Sequence, residues 1–315
     1  MNEPLPPSQG ISNSQTIIFM IVLSVVCAVI LSVLASALAE PQEIAKDLDR
    51  SKQMMIAAKV LDYKGYFLLK DKEGKYIPAK SLPDGTLVPA TENDIATQEQ
   101  LLKVYETHFT PLLVDSQGNS KTFEEAKIDM DDYVAKYKKT GYYKEPLKLI
   151  YKILPNPTSA SEKEKENKKD EKAIGYVIPV NGYGLWDAIY GYLAIEPDGN
   201  TVTGITWYDQ KETPGLGANI SEESWQSLFP GKHIFQGSLS GATDFKTAPL
   251  GITVVKGKVI EVLGSTPKAE SAVDGMAGAT LTGNGVTDAY RDVLNAYRPF
   301  LIKVHGEESK DKTKP

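Results

Sequence analysis

Thr280 is the hydroxyl in this chain best placed for covalent chemistry. It sits in Asp274-Gly275-Met276-Ala277-Gly278-Ala279-Thr280-Leu281-Thr282, followed by Gly283-Asn284-Gly285. The glycines and alanines leave little side chain in the way, so another body can approach the backbone closely. Downstream, Val286, Ala289, Val293 and Tyr297 keep helical apolar spacing, which places Thr280 just before a helix N-terminus. Exposed amides and the helix dipole favour an anion at such a point, and a hydroxyl beside them suggests phosphate. A threonine hydroxyl is a poor nucleophile unless a base activates it, and no obvious base lies beside it in the sequence. Taken alone, the window also reads as a small-residue turn leading into a helix.

Other stretches carry related signals. Glu212-Thr213-Pro214-Gly215-Leu216-Gly217-Ala218 combines turn chemistry with glycines that permit close approach of a planar ligand, while Leu216 offers an apolar face. Upstream, Trp186 stands in the glycine-rich segment Asn181-Gly182-Tyr183-Gly184-Leu185-Trp186-Asp187, where it either covers a ligand or packs in the core. Lys256, in Val254-Val255-Lys256-Gly257 at the end of an expected strand 251–256, is a candidate anion holder or an ordinary surface lysine.

In chain order, the Gly184-Leu185-Trp186 segment, the Glu212 to Gly217 motif and the Thr280 motif resemble the covalent FMN-binding subunits of sodium-pumping NADH:quinone oxidoreductases. Glu212 to Gly217 matches that family's pattern without substitution, and Asp274, Gly278, Ala279 and Thr280 are all present. Position 277 is usually serine or threonine in the family and is Ala277 here, so any hydrogen bond that hydroxyl gives to the flavin is missing. The resemblance implies FMN held by a phosphoester to Thr280 and attached by a separate flavin transferase. It implies that Asp274, Gly278, Ala279 and Thr282 shape the attachment site. By the same resemblance, Trp186, Glu212, Thr213, Gly215, Leu216 and Gly217 hold the cofactor, and Lys256 lies near it. The implied role is electron carriage between other subunits of a membrane complex, from iron–sulfur carriers to a second covalent FMN, coupled to sodium export. No Gly-x-Gly-x-x-Gly follows a strand, so NADH is expected to bind elsewhere in the complex. The homologous flavin subunit of the ferredoxin-linked ion pump shares these motifs. The long region after the apolar run and the Gly-Leu-Trp-Asp context favour the quinone reductase. A reading of another class, a membrane-anchored binding or assembly module without redox chemistry, predicts no flavin at all.

The rest of the chain must position these residues. Its formal charge of −6, from 35 basic and 41 acidic residues, argues against a nucleic-acid partner. Cys27 is the single cysteine, which excludes an intramolecular disulfide and a cysteine-held iron–sulfur cluster. His108, His233 and His305 are scattered, so a protein-bound metal is not expected. A polar N-terminus, 1–15, precedes an uncharged apolar run, 16–39, long enough to span a bilayer. The run exceeds the usual core of a signal peptide and lacks its basic flank. Lys46, Arg50 and Lys52 follow it, so the charge rule would put the following chain in the cytoplasm. The resemblance implies the opposite for a bacterial inner-membrane protein, a periplasmic flavin domain, and that expectation is adopted. A membrane-proximal α+β part, 40–154, a charged mobile loop, 155–172, the FMN-binding domain, 173–305, and a disordered tail, 306–315, complete the expected organisation. Helices are expected over 94–108 and 122–138, a helix from Ser221 to Phe229 with Ser221 able to cap it, and a last helix ending near Arg298-Pro299. Short strands at 175–180, 190–196 and 202–208, linked by tight turns, predict an α+β fold with a twisted, mainly antiparallel sheet and flanking helices.

Overall fold

The computed structural model describes residues 12–91, 94–157, 171–238 and 243–311. Most of the charged segment expected as a mobile loop, together with residues 1–11 and 312–315, lies outside them. The chain divides into two compact units, Met1–Asp49 and Arg50–Pro315. Helix α1, Asn13–Ala57, forms the first unit and ends in the second. Its portion Asn13–Ala39 is apolar, exposed and long enough to cross a membrane. Within the second unit its last turns are buried at Met54, Met55 and Ala57, and the Thr206 hydroxyl donates to the Gln53 carbonyl at 3.1 Å.

A small antiparallel sheet follows, of β1 (Phe67–Lys70), β2 (Tyr76–Ser81) and β3 (Leu87–Pro89). Helix α2, Gln98–His108, starts at a capping box, in which Thr97 accepts from the Gln100 amide and the Gln100 side chain accepts from the Thr97 amide. The main sheet comprises β4 (Phe109–Val114), β5 (Ser120–Lys121), β6 (Lys148–Ile153), β7 (Gly175–Tyr183), β8 (Ala188–Ile195) and β9 (Val202–Asp209). Its spatial order is β5-β4-β6-β7-β8-β9, with every neighbouring pair antiparallel. Hairpin linkage makes this the α+β class that the short strands predict.

The helix expected over 122–138 is two helices, α3 (Phe123–Ala126) and α4 (Met130–Tyr137). Lys127 between them adopts the left-handed conformation, φ 54° and ψ 42°, which ends α3, and Asp129 caps α4 by accepting from Asp132. Because a Cβ is strained in that conformation, Lys127→Gly should raise stability by about 1 kcal/mol, read as an upward shift in the thermal midpoint. Ser221 is not a cap. It closes a 3-10 turn, Gly217–Ser221, and the helix beyond it, α5, is only Glu223–Gln226, starting from Glu222 with no side-chain cap. The strand expected over 251–256 shrinks to β10, Thr253–Val254, which pairs in parallel with β11, Ala272–Val273, across α6, Val259–Val262.

Helix α7, Thr280–Asp311, lies against β7 and fills the core. Val286, Tyr290, Val293, Leu294, Tyr297 and Leu301 are fully buried on it, facing Ile178, Leu193, Ile205 and Trp207 of the sheet. It does not end at Pro299, and residues 306–311, expected as the start of a disordered tail, are helical. An interior proline costs about 3 kcal/mol. Phe300, Leu301 and Val304 are buried just beyond it. At roughly 1.5–3 kcal/mol for each large apolar side chain, their burial exceeds that cost, so the helix continues.

Candidate functional site

The parallel pairing of β10 with β11 brings two distant segments side by side. The Val255 amide donates to Val273 at 3.0 Å and the Gly275 amide to Gly257 at 2.8 Å. Side-chain space is absent there, since a Cβ on Gly275 would stand 2.1 Å from the Val255 carbonyl oxygen. The Asp274 carboxylate accepts from the Val259 amide at 2.7 Å, and its carbonyl accepts the Trp225 indole N–H at 3.0 Å. Asp274 is thus a fastener between the loop and the start of α6.

Between these segments and the start of α7 lies a cavity of about 410 Å³. Lys256, Asp274, Gly278, Ala279 and Thr280 all line it, along with Met276, Ala277 and Asn284. Thr280 is exposed and is the first residue of α7. The first bond of the helix runs from the Gly283 amide to the Ala279 carbonyl at 3.0 Å, so the amides ahead of it have no acceptor within the helix. The helix dipole adds a partial positive charge at that point. Among the described residues, the cavity wall carries no histidine, and its one carboxylate, Asp274, is engaged by an amide.

Thr282 is not in that wall. It is buried one turn inside, where its hydroxyl donates to Glu212 at 2.5 Å. Glu212 is itself 5% exposed and accepts from the Leu185 and Trp186 amides, each at 3.0 Å. One carboxylate therefore ties the Gly184-Leu185-Trp186 loop, the 212–218 loop and α7 together. Burial pushes the Glu212 pKa up, but the Thr282 hydroxyl and the amides of Trp186, Leu185 and Asp187 outweigh it and hold the carboxyl below its ordinary value. Gly217 makes room for this cluster, because a Cβ there would come within 2.5 Å of the Thr282 hydroxyl. Thr213 accepts the Trp186 indole N–H at 3.1 Å, and Trp186 is 69% exposed, so its ring is not core. Leu216 reaches the cavity motif, with its Cδ2 2.9 Å from where a Gly278 Cβ would sit. Gly215, at φ 74°, faces open space, with nothing within 4 Å of where its Cβ would sit.

The three motifs thus converge as two connected groups. Lys256, Asp274, Gly278, Ala279 and Thr280 form the cavity wall, whereas Trp186, Glu212, Thr213, Gly217 and Thr282 form a hydrogen-bonded scaffold beside it, with Leu216 between them. Sequence reasoning does not find Lys258, Met276 and Asn284 in the wall. Met276 and Asn284 stand within or beside the threonine motif, but neither carries obvious anion chemistry. Lys258 stands only two residues beyond Lys256, and that proximity is the signal that could have found it.

The arrangement fits a phosphorylated planar ligand. Its volume lies in the usual range for small-molecule sites, roughly 300–1,000 Å³, two lysines line it, and a hydroxyl stands at a helix N-terminus.

Comparison with known proteins agrees. The FMN-binding domain family matches residues 184–295. The C subunit of the Na(+)-translocating NADH-quinone reductase from Chlamydia caviae is 42% identical over 290 residues, 91% of each chain. That from Chlamydia pneumoniae is 41% identical over 94% of each chain. The crystal structure of Shewanella oneidensis NqrC shares the fold, with a TM-score of 0.52, 22% identity, and coverage of 83% of this chain and 99% of that one. Given near-full-length identity of this size and a fold and motif set in agreement, the chain belongs to the family of C subunits of the Na(+)-translocating NADH-quinone reductases.

Proposed function

We propose that this chain is the electron-carrying flavin subunit of a membrane NADH:quinone reductase that exports sodium, and that FMN is held by a phosphoester to Thr280. The observation that carries the attachment is the position of Thr280, an exposed hydroxyl at the first turn of a 32-residue helix, in a cavity wall shared with Lys256. When bound, FMN supplies the redox chemistry, and the protein holds it and sets its electrostatic surroundings. The amides at the start of α7 and the Lys256 ammonium are the groups that favour its phosphate. The Glu212 cluster keeps the Trp186 loop and Leu216 beside the cavity. Forming the ester requires the Thr280 hydroxyl proton to leave, and the wall holds no free base among the described residues, so a flavin transferase supplies that step. The apolar part of α1 serves as the membrane anchor, with the second unit on the periplasmic face of the bacterial inner membrane. The other subunits of the complex are the electron donors and acceptors.

Flavin fluorescence of the denatured protein band, after co-expression with an active flavin transferase, tests the attachment. Wild type should give a band that stays fluorescent through denaturation, and Thr280→Val a dark one. A dark wild-type band, with the transferase active on another target, would sink the covalent reading and favour an anchored binding module.

A further inference from the structure

Lys258 is the cavity-wall residue that none of the motifs singles out, and its surroundings give it a specific task. The charged residues of the wall are Lys256, Lys258 and Asp274. Asp274 is spent on the Val259 amide, a 2.7 Å bond that also fixes the backbone next to Lys258. On the other side, the Gly275 amide holds the Gly257 carbonyl at 2.8 Å. Lys258 is therefore pinned at the wall from both flanks, immediately ahead of α6. Both lysines are exposed, and neither makes an ion pair or a side-chain hydrogen bond among the described residues. Two cations are thus left without a partner at the cavity that Thr280 enters. Free FMN, before any ester to Thr280 forms, is a phosphate monoester with a charge of about −1.5 to −2 near pH 7, which a single lysine does not balance; once esterified the phosphate keeps a single negative charge.

We propose that Lys258 is a second phosphate-recognising residue and makes this cavity select a phosphorylated flavin over an unphosphorylated one. The proposal rests on the reading of the cavity as the flavin site. An exposed pair of this kind is worth up to about fivefold in affinity and weakens with salt. Riboflavin offers no phosphate, so its binding gains nothing from Lys258.

The test uses the full-length chain in detergent, produced without a flavin transferase and titrated with FMN or with riboflavin by quenching of flavin fluorescence. Lys258→Met should weaken FMN about fivefold and leave riboflavin unchanged. Lys258→Arg should keep most of the preference, and high salt should shrink the difference between wild type and Lys258→Met. An equal loss for both flavins would mean a merely structural role, and unchanged FMN affinity would mean no role; either overturns the proposal. So would a wild-type chain that shows no preference for FMN. Denatured-band fluorescence of the transferase-loaded protein separates this failure from the larger one. A bright band with unchanged FMN affinity in Lys258→Met removes Lys258 alone, whereas a dark band with no FMN binding removes the flavin reading and Lys258 with it.

Discussion

Gly285→Ala should unseat the start of α7 and leave the protein unable to acquire covalently bound flavin. A Cβ at this position would stand 2.0 Å from the Tyr183 carbonyl oxygen and 3.3 Å from the Gly184 Cα, both backbone atoms that cannot rotate aside. Alanine is worth about 1 kcal/mol over glycine inside a helix, so propensity alone predicts a gain. The clash is larger, about 3 kcal/mol for an overpacked and rigid contact, and it wins. The displaced segment carries Thr280 and Thr282, so chemical denaturation should show a net loss of about 2 kcal/mol and the denatured band should lose its flavin fluorescence. Gly306→Ala is the control. It lies in the same helix with nothing within 4 Å of its Cβ position, so it should stabilise slightly and leave the flavin signal intact. Equal behaviour of the two variants would refute the close docking of α7 on the β7–β8 loop.

Glu212→Ala is the second large effect. It leaves the buried Thr282 hydroxyl and the Leu185 and Trp186 amides without their acceptor. The unpartnered buried hydroxyl and the two part-buried amides, facing a lost charge, cost about 3 kcal/mol together, a fall of roughly 10 °C in thermal midpoint for a domain of this size. Glu212→Gln keeps the shape and should cost less. The pH dependence has a definite sign. Because the folded carboxyl sits below its ordinary value of 4.5, the native state binds fewer protons there than the unfolded chain. Its contribution is fully present above about pH 4.5 and is lost as pH falls through the lowered folded value. Wild type and Glu212→Gln should therefore differ in midpoint at neutral pH and converge in acid. Parallel curves at all pH values would show that the charge of Glu212 does not matter.

Much of the site was legible because its chemistry and its local structure are written in the same residues. A hydroxyl flanked by small residues and followed by helical spacing points to Thr280 and to the helix it begins. What Glu212 does was not legible. Its partners are 70 positions downstream at Thr282 and 26 upstream at Trp186, and no local pattern encodes a contact across that distance. Pro299 misled for a related reason, since local rules end a helix there while buried Phe300, Leu301 and Val304 carry it on. The strand expected over 251–256 failed in the opposite way. Its apolar residues are buried, as a strand would require, but only Thr253 and Val254 are paired as a strand, and Val255 and Lys256 turn into cavity wall.

The shared carboxylate has an evolutionary consequence. A Cβ at Gly184 would fall 2.3 Å from one Glu212 oxygen, and a Cβ at Gly217 would fall 2.8 Å from the other. Those two glycines, Glu212 and Thr282 therefore cannot vary one at a time. Gly184→Ala should be harmful beside glutamate and far less so beside aspartate, whose shorter side chain withdraws from the added methyl. Substitutions here are epistatic, and a loop transplanted from a distant relative will work only if its hydroxyl, its carboxylate and its two glycines travel together.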